Sequence, residues 1–298
     1  MRLVSLDPAP ASPGPRALDP REPTAALVLP HGLLPLDVLN RHAGSDWPTT
    51  LAGLLDTGRF EALAAWVRGA PAALADAPVA TDARPGPLLH HPRKILGVGL
   101  NYAEHAGDLG EQRPSEPATF MKPATTIVGP GDEVLVPPES ERTTGEGELG
   151  LVIGRRAHRV AEAEALDVVA GVTTIVDMTA EDILQRNPRF LTRAKSFDTF
   201  FSFGPELVTL DEVGDLATLE VRTTIDGAVH RANTVAHMMF SPAMLVSFFS
   251  HVMTLEPGDV ISTGTPGAVV LRDGCTVGCV IERVGSLANP VRDLKLRP

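Results

Sequence analysis

The chain has 298 residues, which is enough for one large domain or two of ordinary size. Hydrophobic residues make up 43% and charged residues 21%, the balance of a folded globular protein. The net charge of −11 and the aromatic content of 4% argue against nucleic acid as a partner, because polyanion binding needs clustered cations and base stacking needs aromatic rings.

The cellular location of the protein is predicted from the length and position of its apolar stretches. None approaches the ~20 uninterrupted residues of a membrane helix. Asp7 and Pro8 stand where a signal peptide needs an apolar core, so we expect a cytoplasmic protein with no membrane partner.

Cys275 and Cys279 could form a disulfide or half of a soft-metal site, but no further cysteine completes a zinc set. Two reduced thiols are the favoured interpretation.

Residues 1–92 are rich in Ala, Pro, Leu and Gly and are predicted to form a small N-terminal domain. Its prolines make Pro8–Pro23 irregular, and apolar residues at helical spacing over Thr50–Val67 predict helix with a break at Asp56–Gly58. The second proline-rich stretch, Pro78–Pro92, is typical of a linker. This domain carries no spacing of a chemical site, and a lid or a support for dimerisation is the role we expect.

Residues 93–298 differ from residues 1–92 in carrying short apolar runs typical of strands, and they are predicted to form the catalytic domain. Its candidate strands are Lys94–Leu100, Val134–Val136, Leu149–Ile153, Val172–Val176, Thr218–Ile225 and Asp259–Ser262. Its candidate helices are Ala161–Val169 and Pro242–Thr254. Many strands with few helices favour an α+β domain over a doubly wound sheet, and no glycine-rich phosphate-binding motif is present.

Three acids in this domain could hold a metal ion. Glu146 and Glu148 are two residues apart, so on a strand their side chains share one face. Asp177 closes a neighbouring apolar run, and three converging carboxylates suit a hard divalent cation such as Mg²⁺, Mn²⁺ or Ca²⁺. The alternative is a solvent-exposed polar face. The apolar run after Glu148 and the apolar run before Asp177 favour the metal, because charges beside a buried strand need a partner.

Three other segments could carry chemistry. His105 and Asp108 are three residues apart, within reach on a helical turn, and a carboxylate-oriented imidazole can take a proton from water. Lys195, between apolar neighbours, could be desolvated and bind an anion. The glycine turn at 261–267 could hold a carboxylate through backbone N–H groups and hydroxyls. Each has a plainer alternative: a surface histidine, a lysine with its head in solvent and an ordinary turn.

Taken together and in this order, these segments resemble the fumarylacetoacetate hydrolase family. The resemblance covers about residues 93–298, roughly two thirds of the chain. The matching segments are GVGLNYAEH at 97–105, FMKP at 120–123, EGELGLVIG at 146–154, DMTAED at 177–182, AKSFD at 194–198 and GDVISTGTP at 258–266.

The resemblance implies a mixed β-roll domain, a homodimer and a bound Mg²⁺, Mn²⁺ or Ca²⁺. By position, Glu146, Glu148 and Asp177 match the metal ligands. The catalytic set would be His105 as general base, Asp108 as the acid that orients it and Lys195 facing the substrate oxygens. The residues assigned to substrate binding are Tyr102, Lys122, Glu181 and Thr265, of which Thr265 matches a threonine that holds a carboxylate.

Two positions depart from the family pattern. Glu181 stands where relatives commonly carry an arginine, and Leu184 stands where they carry a glutamine, with Gln185 one step later. A glutamate there would repel a dianionic substrate by on the order of 1–4 kcal/mol in a partly solvated site.

The resulting hypothesis is a metal-dependent hydrolase that cleaves a carbon–carbon bond in an acylpyruvate-like 1,3-dicarbonyl, a small keto acid. Decarboxylation of a β-keto acid and isomerisation of a dienoate remain alternatives, because all three reactions stabilise an enolate. A metal-stabilised binding protein without catalysis is the alternative from another class.

Overall fold

The computed structural model describes residues 1–7, 23–80, 83–103 and 114–296, a chain of many strands and few helices. The strands are β1 (Arg2–Leu6), β2 (Thr24–Leu29), β3 (Gly32–Pro35), β4 (Ile95–Gly99), β5 (Ala118–Lys122), β6 (Ile127–Val128), β7 (Val134–Val136), β8 (Thr143–Ile153), β9 (Val169–Ala180), β10 (Phe201–Phe203), β11 (Glu206–Val208), β12 (Glu220–Ile225), β13 (Ala228–Thr234), β14 (Val260–Ser262), β15 (Ala268–Val270), β16 (Thr276–Ile281) and β17 (Gly285–Asp293).

The helices are short and most lie in loops between strands. They are α1 (Leu36–Ala43), α2 (Leu51–Asp56), α3 (Phe60–Gly69), α4 (Pro71–Ala75), α5 (Glu181–Arg186), α6 (Leu191–Lys195), α7 (Leu210–Val213) and α8 (Pro242–Val252). Within the described ranges, no helix is both long and apolar enough to cross a membrane.

Two mixed sheets organise these elements. The larger is 12-stranded, with the order β3-β2-β1-β11-β9-β8-β14-β4-β5 and with β10, β6 and β15 attached beside β9 and β8. The smaller has the order β13-β12-β16-β17-β7. The antiparallel pair β8–β9 is the longest ladder and lies centrally in the large sheet. Mixed sheets with interspersed helices confirm the predicted α+β class.

The N-terminal strands extend the large sheet. Leu3 of β1 pairs with Leu207 of β11, and β11 pairs with β9. One apolar cluster joins Leu27 and Phe60 to Val152 and Ile175 of the central strands, so both parts of the chain share buried surface. The division into domains near residue 92 stays a prediction, and most of Pro8–Pro23 lies outside the described residues.

Most predicted elements in the second part of the chain are present, several of them longer than expected. Leu149–Ile153 is the end of β8, and Val172–Val176 is the middle of β9. The helix predicted over Ala161–Val169 is present as a 3₁₀ helix, Glu162–Val168, in which only Ala165 is fully buried. One buried residue gives little packing energy to stabilise a regular α-helix.

Candidate metal and substrate site

The three predicted acids converge where β8 and β9 pair. Glu146 lies directly opposite Asp177 in the antiparallel register, and Glu148 follows on the same face of β8. Glu148 and Asp177 are buried, and Glu146 is half-buried. One carboxylate oxygen from each residue lies within 4.8 Å of the others. The sequence spacing and the strand register together therefore produce a compact cluster of hard oxygen donors, which we call the acid triad.

The opposite face of β8 explains why glycine alternates with the two glutamates. The Gly147 N–H donates a hydrogen bond to Thr223 Oγ1 at 3.0 Å, across to the smaller sheet. A Cβ at Gly147 would lie 3.0 Å from that oxygen, 3.1 Å from the Thr223 Cα and 3.2 Å from the Arg222 carbonyl oxygen. The smaller sheet therefore packs against bare backbone here, while the acids face the other way.

Lys195, at the end of α6, bridges two members of the triad. Its buried Nζ donates to Glu146 Oε2 and to Asp177 Oδ2, each at 3.0 Å. Burial opposes the charge of this ammonium, but Asp177 and Glu146 outweigh that effect and raise the pKa of Lys195. The predicted desolvated lysine is thus present, and it remains charged because of its carboxylate partners.

Glu148 is held by the last residue of β14 and by the glycine turn that follows it. Ser262 Oγ donates to Glu148 Oε2 at 2.5 Å, and the Gly264 N–H donates to the same oxygen at 2.7 Å. Gly264 has a φ of 98°, and a Cβ there would lie 2.7 Å from the Asn101 Cβ, so only glycine fits comfortably. Ser262 and Gly264 were not assigned to Glu148 from the sequence, although both lie in the GDVISTGTP segment.

A divalent cation fits this donor set. Burial, followed by the neighbouring charges of Asp177 and Glu146, raises the pKa of Glu148 to about 8. Lys195 and Lys122 already pair with Glu146 and Asp177, so Glu148 becomes a charged ligand most readily when a cation joins the cluster. Clustered carboxylate oxygens are the ligands that Mg²⁺, Mn²⁺ and Ca²⁺ prefer. Glu146, Glu148 and Asp177 are the residues that would hold such an ion.

Lys122, assigned to substrate binding from the sequence, lies behind the triad. Its buried Nζ donates to the carbonyl oxygens of Met178 at 3.0 Å, Lys195 at 2.7 Å and Phe200 at 2.7 Å. Asp177 Oδ1 lies 2.5 Å from the same Nζ, which makes a close buried ion pair. Burial lowers the pKa of Lys122 to about 8. These contacts support Asp177 and the Lys195 backbone and leave no proton for a substrate.

Thr265 and Tyr102, also assigned to substrate binding from the sequence, lie in different surroundings in the structure. Thr265 borders the cavity beside the triad, and its Oγ1 lies 3.4 Å from Thr223 Oγ1 and 3.2 Å from the Gly267 backbone nitrogen. Tyr102 is fully buried in the core, and its hydroxyl has no hydrogen-bond partner among the described residues. Direct substrate contact stays a prediction for Thr265, and the buried position of Tyr102 favours a packing role instead.

The cavity beside the triad has a volume of about 440 Å³, within the usual range of small-molecule sites. Glu146, Glu148, Lys195 and Thr265 contribute its polar wall. His105 and Asp108 lie outside the described residues, so their roles as base and orienting acid stay predictions.

Glu181, the departure noted in the sequence, also borders this cavity. Its Oε2 accepts a hydrogen bond from Arg142 Nε at 2.9 Å, and its Oε1 accepts one from Gln185 Nε2 at 2.8 Å. Arg142 is 39 positions away in sequence and adjoins β8, so only the fold reveals this pairing. The expected repulsion from Glu181 is therefore partly offset by a neighbouring guanidinium.

Comparison with known proteins identifies a family for most of the chain. Residues 94–292 match the family model described as fumarylacetoacetate (FAA) hydrolase C-terminal. An uncharacterised protein of Archaeoglobus fulgidus is 43% identical over 199 residues, which are 66% of this chain and 78% of that protein.

Solved structures that are similar to this chain include two enzymes. The maleylpyruvate hydrolase of Sphingobium sp. SYK-6, in complex with manganese(II) and pyruvate, is 28% identical over 98% of this chain and 99% of its own, with a TM-score of 0.76. The 2-hydroxyhepta-2,4-diene-1,7-dioate isomerase of Mycobacterium marinum is 38% identical over 71% of this chain and 79% of its own, with a TM-score of 0.64.

Proposed function

The chain belongs to the fumarylacetoacetate hydrolase family, and we propose that it is a divalent-metal-dependent hydrolase of acylpyruvate-like 1,3-dicarbonyls. The observation that carries the proposal is the acid triad, with oxygens within 4.8 Å of one another, bridged by Lys195 beside a cavity of about 440 Å³. The similar maleylpyruvate hydrolase that binds manganese and pyruvate supports both the metal and the keto-acid class.

The proposed reaction consumes one water and breaks one carbon–carbon bond, giving a carboxylate and pyruvate. A divalent ion held by Glu146, Glu148 and Asp177 supplies Lewis-acid polarisation of keto-acid oxygens. Lys195 Nζ, which already donates to two carboxylates, is placed to stabilise negative charge on the departing enolate. His105, oriented by Asp108, would take the proton from the attacking water.

Thr265 and the cavity wall would orient the substrate. The Thr265 hydroxyl lies at the cavity beside a tight backbone turn and donates to the Gly267 carbonyl oxygen, so it would rotate away from that oxygen to donate to a substrate carboxylate. We further expect Mg²⁺ or Mn²⁺ as the ion, a homodimer and the β-roll form of the fold, all on the basis of the family.

A metal-dependence assay tests this function. Purified protein with Mn²⁺ or Mg²⁺ is incubated with acylpyruvates, and pyruvate is quantified with and without EDTA. We expect turnover to be lost with EDTA and to fall at least a hundredfold in Glu148→Ala. Glu164→Ala, which removes an exposed glutamate of the 3₁₀ helix, is the matched control and should retain full activity. Undiminished turnover in the chelated enzyme or in Glu148→Ala would refute the metal-dependent function.

Isomerisation of a dienoate is the second candidate, favoured by the 38% identity to the M. marinum isomerase. It needs no attacking water. Reaction in H₂¹⁸O separates the two, because hydrolysis places label in the carboxylate product, whereas isomerisation leaves the carbon skeleton intact. β-Keto acid decarboxylation would release CO₂ and is recognised by the same product analysis.

A further inference from the structure

Apolar side chains make up much of the wall of the cavity beside the acid triad. They are Leu100 and Phe120 from the β4–β5 region, Leu184 from α5, Pro188 from the next loop and Leu191 from α6. The half-buried Leu184 also packs against the main apolar core, which fixes its position. A ligand held at the triad therefore extends its remaining atoms against hydrocarbon.

The charges of the cavity wall are predominantly negative. Among the described wall residues, Lys195 is the one cation, and its Nζ is engaged by Glu146 and Asp177 at 3.0 Å each. Glu181 adds a further carboxylate. A second, distal carboxylate on a ligand would thus meet hydrocarbon and a like charge, and burying an unpaired charge is strongly unfavourable.

Arg142, which contacts the wall residue Glu181, is paired with that carboxylate. Arg142 Nε donates to Glu181 Oε2 at 2.9 Å, and Arg142 lines a separate open cleft of about 830 Å³. Gln185 Nε2 holds the other Glu181 oxygen at 2.8 Å. The Glu181 carboxylate is therefore oriented from two sides and marks the boundary between the two spaces, both of which it borders.

We propose that Leu184 and Leu191 make this site selective for keto acids whose distal group is uncharged and largely apolar, and that dicarboxylic keto acids are disfavoured. The substrate class rests on the proposed keto-acid function, but the selectivity is a property of the cavity wall. Apolar walls discriminate against a charged group far more strongly than against a change of one methylene.

Binding of two keto acids of equal length tests the proposal. The full-length Mn²⁺-loaded protein is titrated calorimetrically with 2-oxohexanoate and with 2-oxoadipate, which differ in the terminal carboxylate. We expect 2-oxohexanoate to bind at least tenfold more tightly. Leu184→Arg places a guanidinium in the wall and should shift the affinity ratio at least tenfold toward 2-oxoadipate. Val252→Arg, at a position of α8 that is 61% exposed, adds the same charge away from the cavity and should leave the ratio unchanged.

Leu191→Arg provides a second test if Leu184→Arg does not fold, as judged by its circular dichroism spectrum. Equal or tighter binding of 2-oxoadipate by the unmodified protein overturns the proposal, and so does binding of neither acid. A ratio unchanged in a folded arginine variant overturns it as well. Selective binding of 2-oxohexanoate without cleavage of any acylpyruvate would refute the hydrolase reaction and still support the selectivity.

Discussion

The floor and the wall of the site are built in different ways. The floor is the acid triad on β8 and β9, two long paired strands, backed by Lys122 and by hydrogen bonds to Glu148 from the turn after β14. The wall is formed largely by α5 and α6, helices of six and five residues, whose wall residues Glu181, Leu184, Gln185 and Leu191 are half-buried or exposed. A floor with many mutual contacts tolerates little change, whereas a wall of short helices can be altered at small cost, so binding chemistry and selectivity are carried by separate elements.

Removing the ammonium behind the floor should have the largest effect on stability. Lys122→Met leaves three buried carbonyls and Asp177 Oδ1 without their cation. Breaking a buried pair in this way costs about 3–5 kcal/mol of unfolding free energy. Urea unfolding of the full chain measures it. Arg93→Met, which breaks an exposed pair with Asp56, is the control and should cost less than about 1 kcal/mol. Similar losses in both variants would contradict the supporting role of Lys122.

Adding a methyl group under the floor should have the next largest effect. Gly147→Ala forces a Cβ to within 3.0 Å of Thr223 Oγ1 and 3.2 Å of the Arg222 carbonyl oxygen. Overpacking of this kind costs about 1–3 kcal/mol. The same unfolding assay measures it, with Gly285→Ala as control, because a Cβ at Gly285 meets nothing within 4 Å. If the two variants were equally stable, the packing of the two sheets at Gly147 would be less tight than described.

The charge of the floor should make stability depend on pH and metal. In the metal-free protein the pKa of Glu148 is raised from 4.5 to about 8, so this group favours folding most below pH 4.5 and loses that contribution as pH rises toward 8. We expect the Tm of the EDTA-treated protein to fall by on the order of 2–4 °C between pH 6 and pH 8.5 from this group. Added Mn²⁺ should reverse the fall, since metal binding favours the deprotonated ligand.

The control for this measurement is Glu148→Gln, whose amide does not titrate. Its metal-free Tm should show a flatter pH profile, and Mn²⁺ should raise it less. An unmodified protein whose metal-free Tm increased from pH 6 to pH 8.5, with no response to Mn²⁺, would contradict both the raised pKa of Glu148 and metal binding at the triad.

Changes in the wall should have the smallest effect on stability. The Arg142 side chain is 50% exposed, so its pair with Glu181 is screened by solvent. We expect Arg142→Met and Glu181→Gln each to cost at most about 1 kcal/mol. Thermal unfolding at matched pH checks this, with Glu164→Gln as the control. A loss above about 2 kcal/mol would place Glu181 among the rigid elements of the floor and remove the contrast drawn above.

How much of the floor could be predicted from the sequence depends on how far apart the contacting residues are along the chain. The two glutamates could be assigned to one face because a strand alternates its side chains, and the family segments identified Asp177 as their partner. Lys122 could be recognised as significant, but its partners are carbonyls of residues 56 to 78 positions away, which sequence spacing does not indicate. The same holds for Ser262 and Gly264, which contact Glu148 across 114 and 116 positions.

The sequence by itself determined the α+β class, the family and the acids of the triad, because these depend on local periodicity and on the order of short segments. Tertiary structure decided what those residues contact. The register of β8 against β9 places Glu146 opposite Asp177, and the approach of α5 to the start of β8 pairs Glu181 with Arg142. Long-range pairing of this kind depends on the packing of whole elements. Read from the sequence alone, Glu181 therefore suggests repulsion of an anionic substrate, whereas in the folded chain its charge is partly neutralised by Arg142.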